Sequence, residues 1–220
     1  MSGAGDRFSS PAVIPRFALY IFDLDGTLMD SARDICGAIQ EVLAARGRTD
    51  VTDARLRRYI GRHLLDMFYD LEIPEDEIEP MIAHYRRIYP ERKHAQTSVI
   101  PGVAEMLKGL GGMKSTATIK STLNTRIILD QFGLLRHFDH VQGTDGFPAK
   151  PEPDVIFKSL EALGMQPEDC LFVGDSAADM EAGRRAGVAT CGVRYGYGNP
   201  QEMAKFEPSY WIDDPRELLS

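Results

Sequence analysis

Phe22-Asp23-Leu24-Asp25-Gly26-Thr27-Leu28 is the stretch on which the reading of this chain turns. It closes an apolar run, Phe17 to Phe22, with Tyr20 and Ile21 inside it. A run of this length and character reads as a parallel strand buried on both faces, and ligands bind at the carboxyl ends of such strands. Asp23 therefore opens into a crevice. Two carboxylates at the end of a buried strand are chemically costly, which marks them as useful rather than incidental. Gly26 allows a tight turn directly afterwards, and Thr27 adds a hydroxyl where the amides of that turn are free to meet an anion. Asp-Gly alone is an ordinary turn signal, so the meaning of the stretch rests on partners elsewhere in the chain.

The chain has 220 residues, 43% of them hydrophobic, enough for one large domain or a domain with a smaller insert. A formal net charge of -8 argues against nucleic acid as the main partner, because nothing balances the phosphate repulsion. Cys36, Cys170 and Cys191 are odd in number and lack metal-ligand spacing; they read as reduced core residues of a cytoplasmic protein. Residues 1–16 hold no apolar stretch of signal-peptide length and read as a loose leader; nowhere is there a run long enough to span a bilayer.

After Leu28 the rhythm turns helical. Asp30 or Ser31 can cap a segment carrying Ile35, Ile39, Val42 and Leu43, and a second helix starts at Thr52 with Leu56, Tyr59 and Ile60 as its stripe. Gly61, Arg62 and His63 interrupt before Leu64, Leu65, Met67 and Phe68. A third segment carries Met81, Ile82, Tyr85, Ile88 and Tyr89, its regular part starting at Pro80. Residues 30–98 thus form a helical insert, separate from a core of 17–29 and 99–220. In that core helices alternate with the expected strands Ser115–Ile119, Phe138–Gln142, Cys170–Val173 and Val188–Val193, with Tyr210–Ile212 as a short edge strand. This is the signature of an α/β fold with a doubly wound parallel sheet.

Four strand ends carry polar groups: Asp23 and Asp25, then Thr118, then Lys150, then Asp175 with Asp179. In a doubly wound sheet all four open on one edge. Gly174-Asp175-Ser176-Ala177-Ala178-Asp179 repeats the opening logic, an apolar strand running directly into a carboxylate with a second acid one helical turn later. Oxygens converging in this way suit Mg²⁺, a hard ion that takes few carboxylates and keeps waters. An anionic substrate is repelled by such a cluster unless a metal and an ammonium offset the charge. Lys150 is placed to bridge Asp23 and a phosphoryl oxygen, and Thr118 to donate its hydroxyl to another.

These four pieces, in this order, resemble the motifs of the haloacid dehalogenase superfamily of phosphotransferases. The resemblance runs from about Phe17 to the end of the chain. The run Gly187 to Gly198 with its GVRYGYG, Phe132 to Asp139 (FGLLRHFD) and Lys150 to Asp154 (KPEPD) look like the phosphoglycolate phosphatase branch. The resemblance implies a Rossmann-like core with a mobile C1-type helical cap. It also implies that Asp23 attacks phosphorus to give an aspartyl phosphate while Asp25 protonates the leaving oxygen and then activates water. The metal is implied to take the carboxylates of Asp23 and Asp175 and the Asp25 backbone carbonyl, with Asp179 behind them. Asp25, crowded by like charge, is expected to have a raised pKa suited to proton transfer. One departure is Ile119, where many members carry a small polar residue; Lys120 next to it is the candidate to compensate.

The expected activity is hydrolysis of a small phosphate monoester of a phosphorylated metabolite, phosphoglycolate-like, with Gly26, Thr27, Lys120, Arg62 and His63 as substrate-binding candidates. A sugar phosphomutase of the β-phosphoglucomutase type shares all four motifs. A nucleotidase or pyrophosphatase, and a catalytically retired metal- or phosphate-binding module, are the other readings. Monomer and homodimer fit the sequence equally.

Overall fold

The computed structural model describes residues 13–220, so most of the expected leader lies outside the described residues. Strand β1 (Leu19–Phe22) is fully buried and runs into the Asp23–Leu28 turn. Two short strands, β2 (Met29–Asp30) and β3 (Ser98–Val99), pair antiparallel and bracket the helical insert. The insert holds α1 (Ala32–Ala44), α2 (Asp53–Arg57), α3 (Leu64–Asp70) and α4 (Glu75–Glu91). These helices close over their own apolar cluster, which includes Ile35, Ile39, Leu56, Phe68, Met81, Ile82 and Ile88. Thr52 caps α2, its side chain accepting from the Arg55 amide at 3.3 Å. The Gly61 break follows, with φ +85° in the left-handed region that a turn between two helices needs here.

From β3 the chain alternates: α5 (Val103–Gly109), β4 (Met113–Thr116), α6 (Thr122–Gln131), α7 (Asp154–Leu163), β5 (Cys170–Gly174), α8 (Ala177–Ala186), β6 (Ala189–Val193), α9 (Pro200–Met203) and β7 (Tyr210–Ile212). The five-stranded sheet has the order β4-β1-β5-β6-β7 and is parallel throughout. Alternation of side chains sends Tyr20, Phe22, Leu171 and Val173 to one face, where Val103, Met106, Ile128 and Leu129 of α5 and α6 cover them. Leu19, Ile21, Cys170 and Phe172 point to the other face, against Val155, Ile156 and Leu160 of α7 and Ala182 and Ala186 of α8. Helices on both faces account for the uninterrupted apolar run from Phe17 to Phe22. No helix among the described residues is long and apolar enough to cross a membrane.

Three expectations are corrected. The stretch Phe138–Gln142 is not a strand. It lies along the sheet edge, but the Thr116 hydroxyl takes both polar backbone groups of Gln142, at 2.9 Å each, and the Asp139 and His140 amides both go to the Lys114 carbonyl. Side-chain and shared bonds of this kind replace the regular ladder. The strand expected over Ser115–Ile119 is β4, Met113–Thr116, which leaves Thr118 in the loop beyond its end. Helix α4 begins at Glu75, not at Pro80, which lies inside it. The missing amide of Pro80 strips the Asp76 carbonyl of its helical partner; both residues are exposed, and Ile78, Met81 and Ile82 anchor the buried face.

Candidate active site

Asp23 leaves β1 with its amide bonded to the Val173 carbonyl at 2.9 Å, fixing it at the carboxyl edge of the sheet between β4 and β5. The residue is nearly sealed from solvent, at 3% exposure. Lys150 reaches in from the loop before α7 and is the hub of the site. Its ammonium donates to Asp23 Oδ1 at 2.6 Å, to Asp179 Oδ1 at 2.5 Å and to the Ala117 carbonyl at 2.8 Å. All three ammonium protons are thereby used. Burial alone would lower the Lys150 pKa; Asp179 and Asp23 more than offset it and hold the group above its ordinary value.

Asp179 Oδ2 accepts from the Ser176 amide at 2.9 Å and the Ser176 hydroxyl at 2.6 Å, closing a capping box at the start of α8. Asp179 is thus both a helix cap and the second anchor of Lys150. Asp175, one residue after β5, accepts from the Tyr197 amide at 2.7 Å through Oδ2, while its Oδ1 is buried with no hydrogen-bond partner. One oxygen from each of Asp23, Asp175 and Asp179 lies within 4.8 Å of the others. Burial, then the like charges of Asp179 and Asp23, raise the Asp175 carboxyl well above the ordinary carboxylate range. Asp23 is raised too, by burial first, with Lys150 opposing and Asp179 and Asp25 adding. Three buried carboxylates against one ammonium, with an orphaned carboxylate oxygen among them, fit a hard divalent cation taking oxygen ligands.

Asp25 is not left to like charge alone. Lys120 donates to its Oδ2 at 2.5 Å, and the Ser31 hydroxyl donates to its Oδ1. The Lys120 ammonium also sits 5.0 Å from the centre of the Tyr89 ring on α4, so the Asp25 pair touches the insert. Thr118 is fully buried; its hydroxyl accepts from the Lys120 amide at 3.4 Å and donates to no group among the described residues. Thr27 Oγ1 is likewise buried and unpartnered. Gly26, with φ +86°, has no room for a Cβ, which would collide with the Asp175 carboxylate.

Between core and insert lies a cleft of about 560 Å³. Asp25, Lys120, Asn124 and Phe147 line it from the core, and Tyr59, Arg62, His63, Tyr85, Arg86 and Tyr89 from the insert. Arg62 is half-exposed, 3.4 Å from Asp70 and 5.3 Å from the centre of the Tyr59 ring, and His63 stands at the start of α3. The structure thus gathers Asp23, Asp25, Lys150, Asp175 and Asp179 at one sheet edge and sets Arg62 and His63 on the opposite wall of the cleft. Three further residues belong to this neighbourhood without having been singled out for it: Ser31, Tyr197 and Arg86. Ser31 reads in sequence only as a helix cap, and Tyr197 stands in GVRYGYG with no chemistry attached. Arg86 is one of several cations on a polar helix face, and only the tertiary fold separates it from the others.

Comparison with known proteins gives the family. A family model for haloacid dehalogenase-like hydrolases matches residues 20–193. Phosphoglycolate phosphatase 1 of Pseudomonas aeruginosa is 36% identical over an alignment covering 100% of this chain and 83% of that protein. The phosphoglycolate phosphatase of Aquifex aeolicus is 37% identical, covering 90% and 93%. A hydrolase of haloacid dehalogenase-like type from Streptococcus pneumoniae superposes with a TM-score of 0.87 at 25% identity, over 92% of this chain and 97% of that one. With Asp23, Lys150 and Asp175 brought together in the order the motifs require, and a family match across most of its length, the chain belongs to the haloacid dehalogenase-like hydrolases.

Proposed function

We propose that this chain is a Mg²⁺-dependent phosphatase that hydrolyses a small phosphate monoester of the phosphoglycolate kind through an aspartyl phosphate on Asp23. The class, a phosphoric monoester hydrolase, follows from its full-length similarity to phosphoglycolate phosphatases. The observation that carries the mechanism is the asymmetry of Asp23: Oδ1 is committed to Lys150, and Oδ2 accepts no hydrogen bond among the described residues. A carboxylate oriented through one oxygen and unengaged at the other is suited to nucleophilic attack.

The free proton of Thr118 meets a phosphoryl oxygen, Lys150 lends its positive charge from beside Asp23, and the Gly26–Thr27 turn closes the other side. Asp23 attacks phosphorus as the bond to the leaving oxygen breaks; Asp25 gives that oxygen a proton. The same Asp25 then takes a proton from water, which attacks phosphorus and breaks the Asp23–phosphorus bond, releasing phosphate. Mg²⁺, held by the carboxylates of Asp23 and Asp175 and the Asp25 backbone carbonyl with Asp179 behind them, supplies positive charge against the phosphoryl oxygens when bound. The 30–98 insert acts as the cap, and Arg62, His63 and Arg86 read the leaving group from its side of the cleft. Lys120, bound to Asp25, holds the core side.

Buried, free Cys36, Cys170 and Cys191, each thiol pushed up to about 12 chiefly by burial, support a reducing, cytoplasmic setting. The acidic net charge supports a small phosphorylated metabolite over nucleic acid as partner.

Phosphate release from p-nitrophenyl phosphate and from phosphoglycolate is the test. Release is expected with Mg²⁺, is lost in EDTA and returns on adding Mg²⁺. Arg62→Ala is expected to raise KM for phosphoglycolate about tenfold, the scale of one charge-assisted hydrogen bond in a half-open cleft, and to leave p-nitrophenyl phosphate hydrolysis unchanged. Absence of release, or release indifferent to EDTA, rejects the reading; an unchanged KM removes Arg62 from it.

A further inference from the structure

The start of the helical insert is tied to the acidic cluster through one side chain. Helix α1 needs acceptors for its first amides, and Ser31, at the N-cap position, does not serve: its hydroxyl is donated to Asp25. The Tyr197 hydroxyl takes over. It accepts from the Ser31 amide at 2.8 Å and the Ala32 amide at 3.1 Å, and gives its own proton to Asp30 Oδ1 at 2.7 Å. Both lone pairs and the proton are used. At its other end the same residue donates its amide to Asp175 Oδ2 at 2.7 Å, opposite the orphaned Oδ1.

Tyr197 has little freedom to move independently of either end. Its ring packs against the apolar cluster of the insert and against Gly26, where an added Cβ would lie 2.8 Å from it. Gly198 is pressed on the Asp175 carbonyl so closely that any side chain there would overlap it. The residues it grips, Asp30 to Ala32, are where the chain passes from β2 into α1, on its way out from core to insert.

We propose that Tyr197 is a positioning residue that couples the seating of the insert over the cleft to the state of the Asp175 carboxylate, so that cation binding in the Asp23–Asp175 cluster tightens the start of α1. Such coupling is reciprocal: loosening the insert weakens cation binding by the same factor. The proposal rests on the cation reading given above. Tyr197→Phe removes the three hydroxyl bonds and keeps the amide on Asp175, which separates coupling from simple ligand positioning.

The experiment is amide hydrogen exchange by NMR on the full chain, with and without Mg²⁺, alongside calorimetric titration of Mg²⁺. In the wild type, Mg²⁺ is expected to slow exchange at Ser31 and Ala32 about tenfold or more. In Tyr197→Phe these amides exchange faster and no longer respond, while Mg²⁺ still binds but about tenfold more weakly, the same factor; KM rises more than kcat falls. An equal Mg²⁺ response in both proteins, or none in the wild type despite measurable binding, overturns the coupling and leaves the phosphatase reading standing. No heat of Mg²⁺ binding to the wild type overturns both. Should Tyr197→Phe fail to fold, Asp30→Asn, at an exposed position, weakens the anchor of the same hydroxyl and carries the same expectation at smaller size.

Discussion

Asp23→Asn is expected to abolish turnover while leaving the protein folded. Removing the nucleophile of a covalent mechanism costs on the order of 10⁶ in kcat, and phosphate monoesters hydrolyse so slowly unaided that the residual rate sinks into the background. Asn keeps the shape of the side chain and still presents an oxygen to the Lys150 ammonium 2.6 Å away. It also removes one of three buried carboxylates that lie close together, so self-repulsion in the cluster falls. The variant is therefore expected to unfold in urea, in EDTA, at a midpoint no lower than the wild type, and to retain binding of inorganic phosphate in Mg²⁺. Steady-state hydrolysis of p-nitrophenyl phosphate within tenfold of the wild type contradicts the covalent scheme. A collapsed urea midpoint contradicts the electrostatic account of the cluster.

Lys150→Ala is expected to have the largest effect on stability of any single change at the site. The side chain is 1% exposed, and its loss leaves Asp23 and Asp179 facing each other without a counter-charge. Breaking a buried ion pair by removing one partner typically costs about 3–5 kcal/mol. It also strips the Ala117 carbonyl of its donor and releases the Asp179 carboxylate from one of its two fixed ends. Chemical unfolding in EDTA measures this directly. Added Mg²⁺ is expected to restore part of the loss, since a ligand that binds only the folded state stabilises it. A loss below about 1 kcal/mol in EDTA contradicts the placement of Lys150 as the hub, because that is the range of exposed pairs.

Much of this arrangement was legible in the sequence because the features concerned are local. The apolar run before Asp23 has no polar position to spare, so it had to be covered on both faces; Tyr20 and Phe22 on one side and Leu19 and Ile21 on the other show that it is. Apolar runs that end directly in Asp23 and Asp175 place both carboxylates at the same sheet edge once the strands are parallel neighbours. Phe138–Gln142 misled because its apolar content is real, with Val141 buried, but strand identity depends on backbone pairing, which the Thr116 side chain intercepts. Pro80 misled because a proline that ordinarily starts a helix is tolerated inside one where the freed carbonyl faces water. The role of Tyr197 depends on a contact between residues 166 apart, which no local pattern encodes. Asp25 was expected to feel chiefly like charge; Lys120, brought back from 95 residues away, changes that environment.

Phosphorus is predicted to pass through Asp23, and a phosphoenzyme trapped in Asp25→Asn would carry it there. p-Nitrophenolate leaves without needing a proton, so the first step survives the loss of Asp25, whereas the second, which needs water activated, does not. Asp25→Asn mixed with p-nitrophenyl phosphate and Mg²⁺, quenched in acid and digested, is predicted to show a hydroxylamine-labile phosphoryl group on the peptide carrying Asp23. It should also release about one p-nitrophenol per active site in the first phase. Steady release of p-nitrophenol with no phosphoryl group on that peptide, or with the label on another residue, contradicts the account.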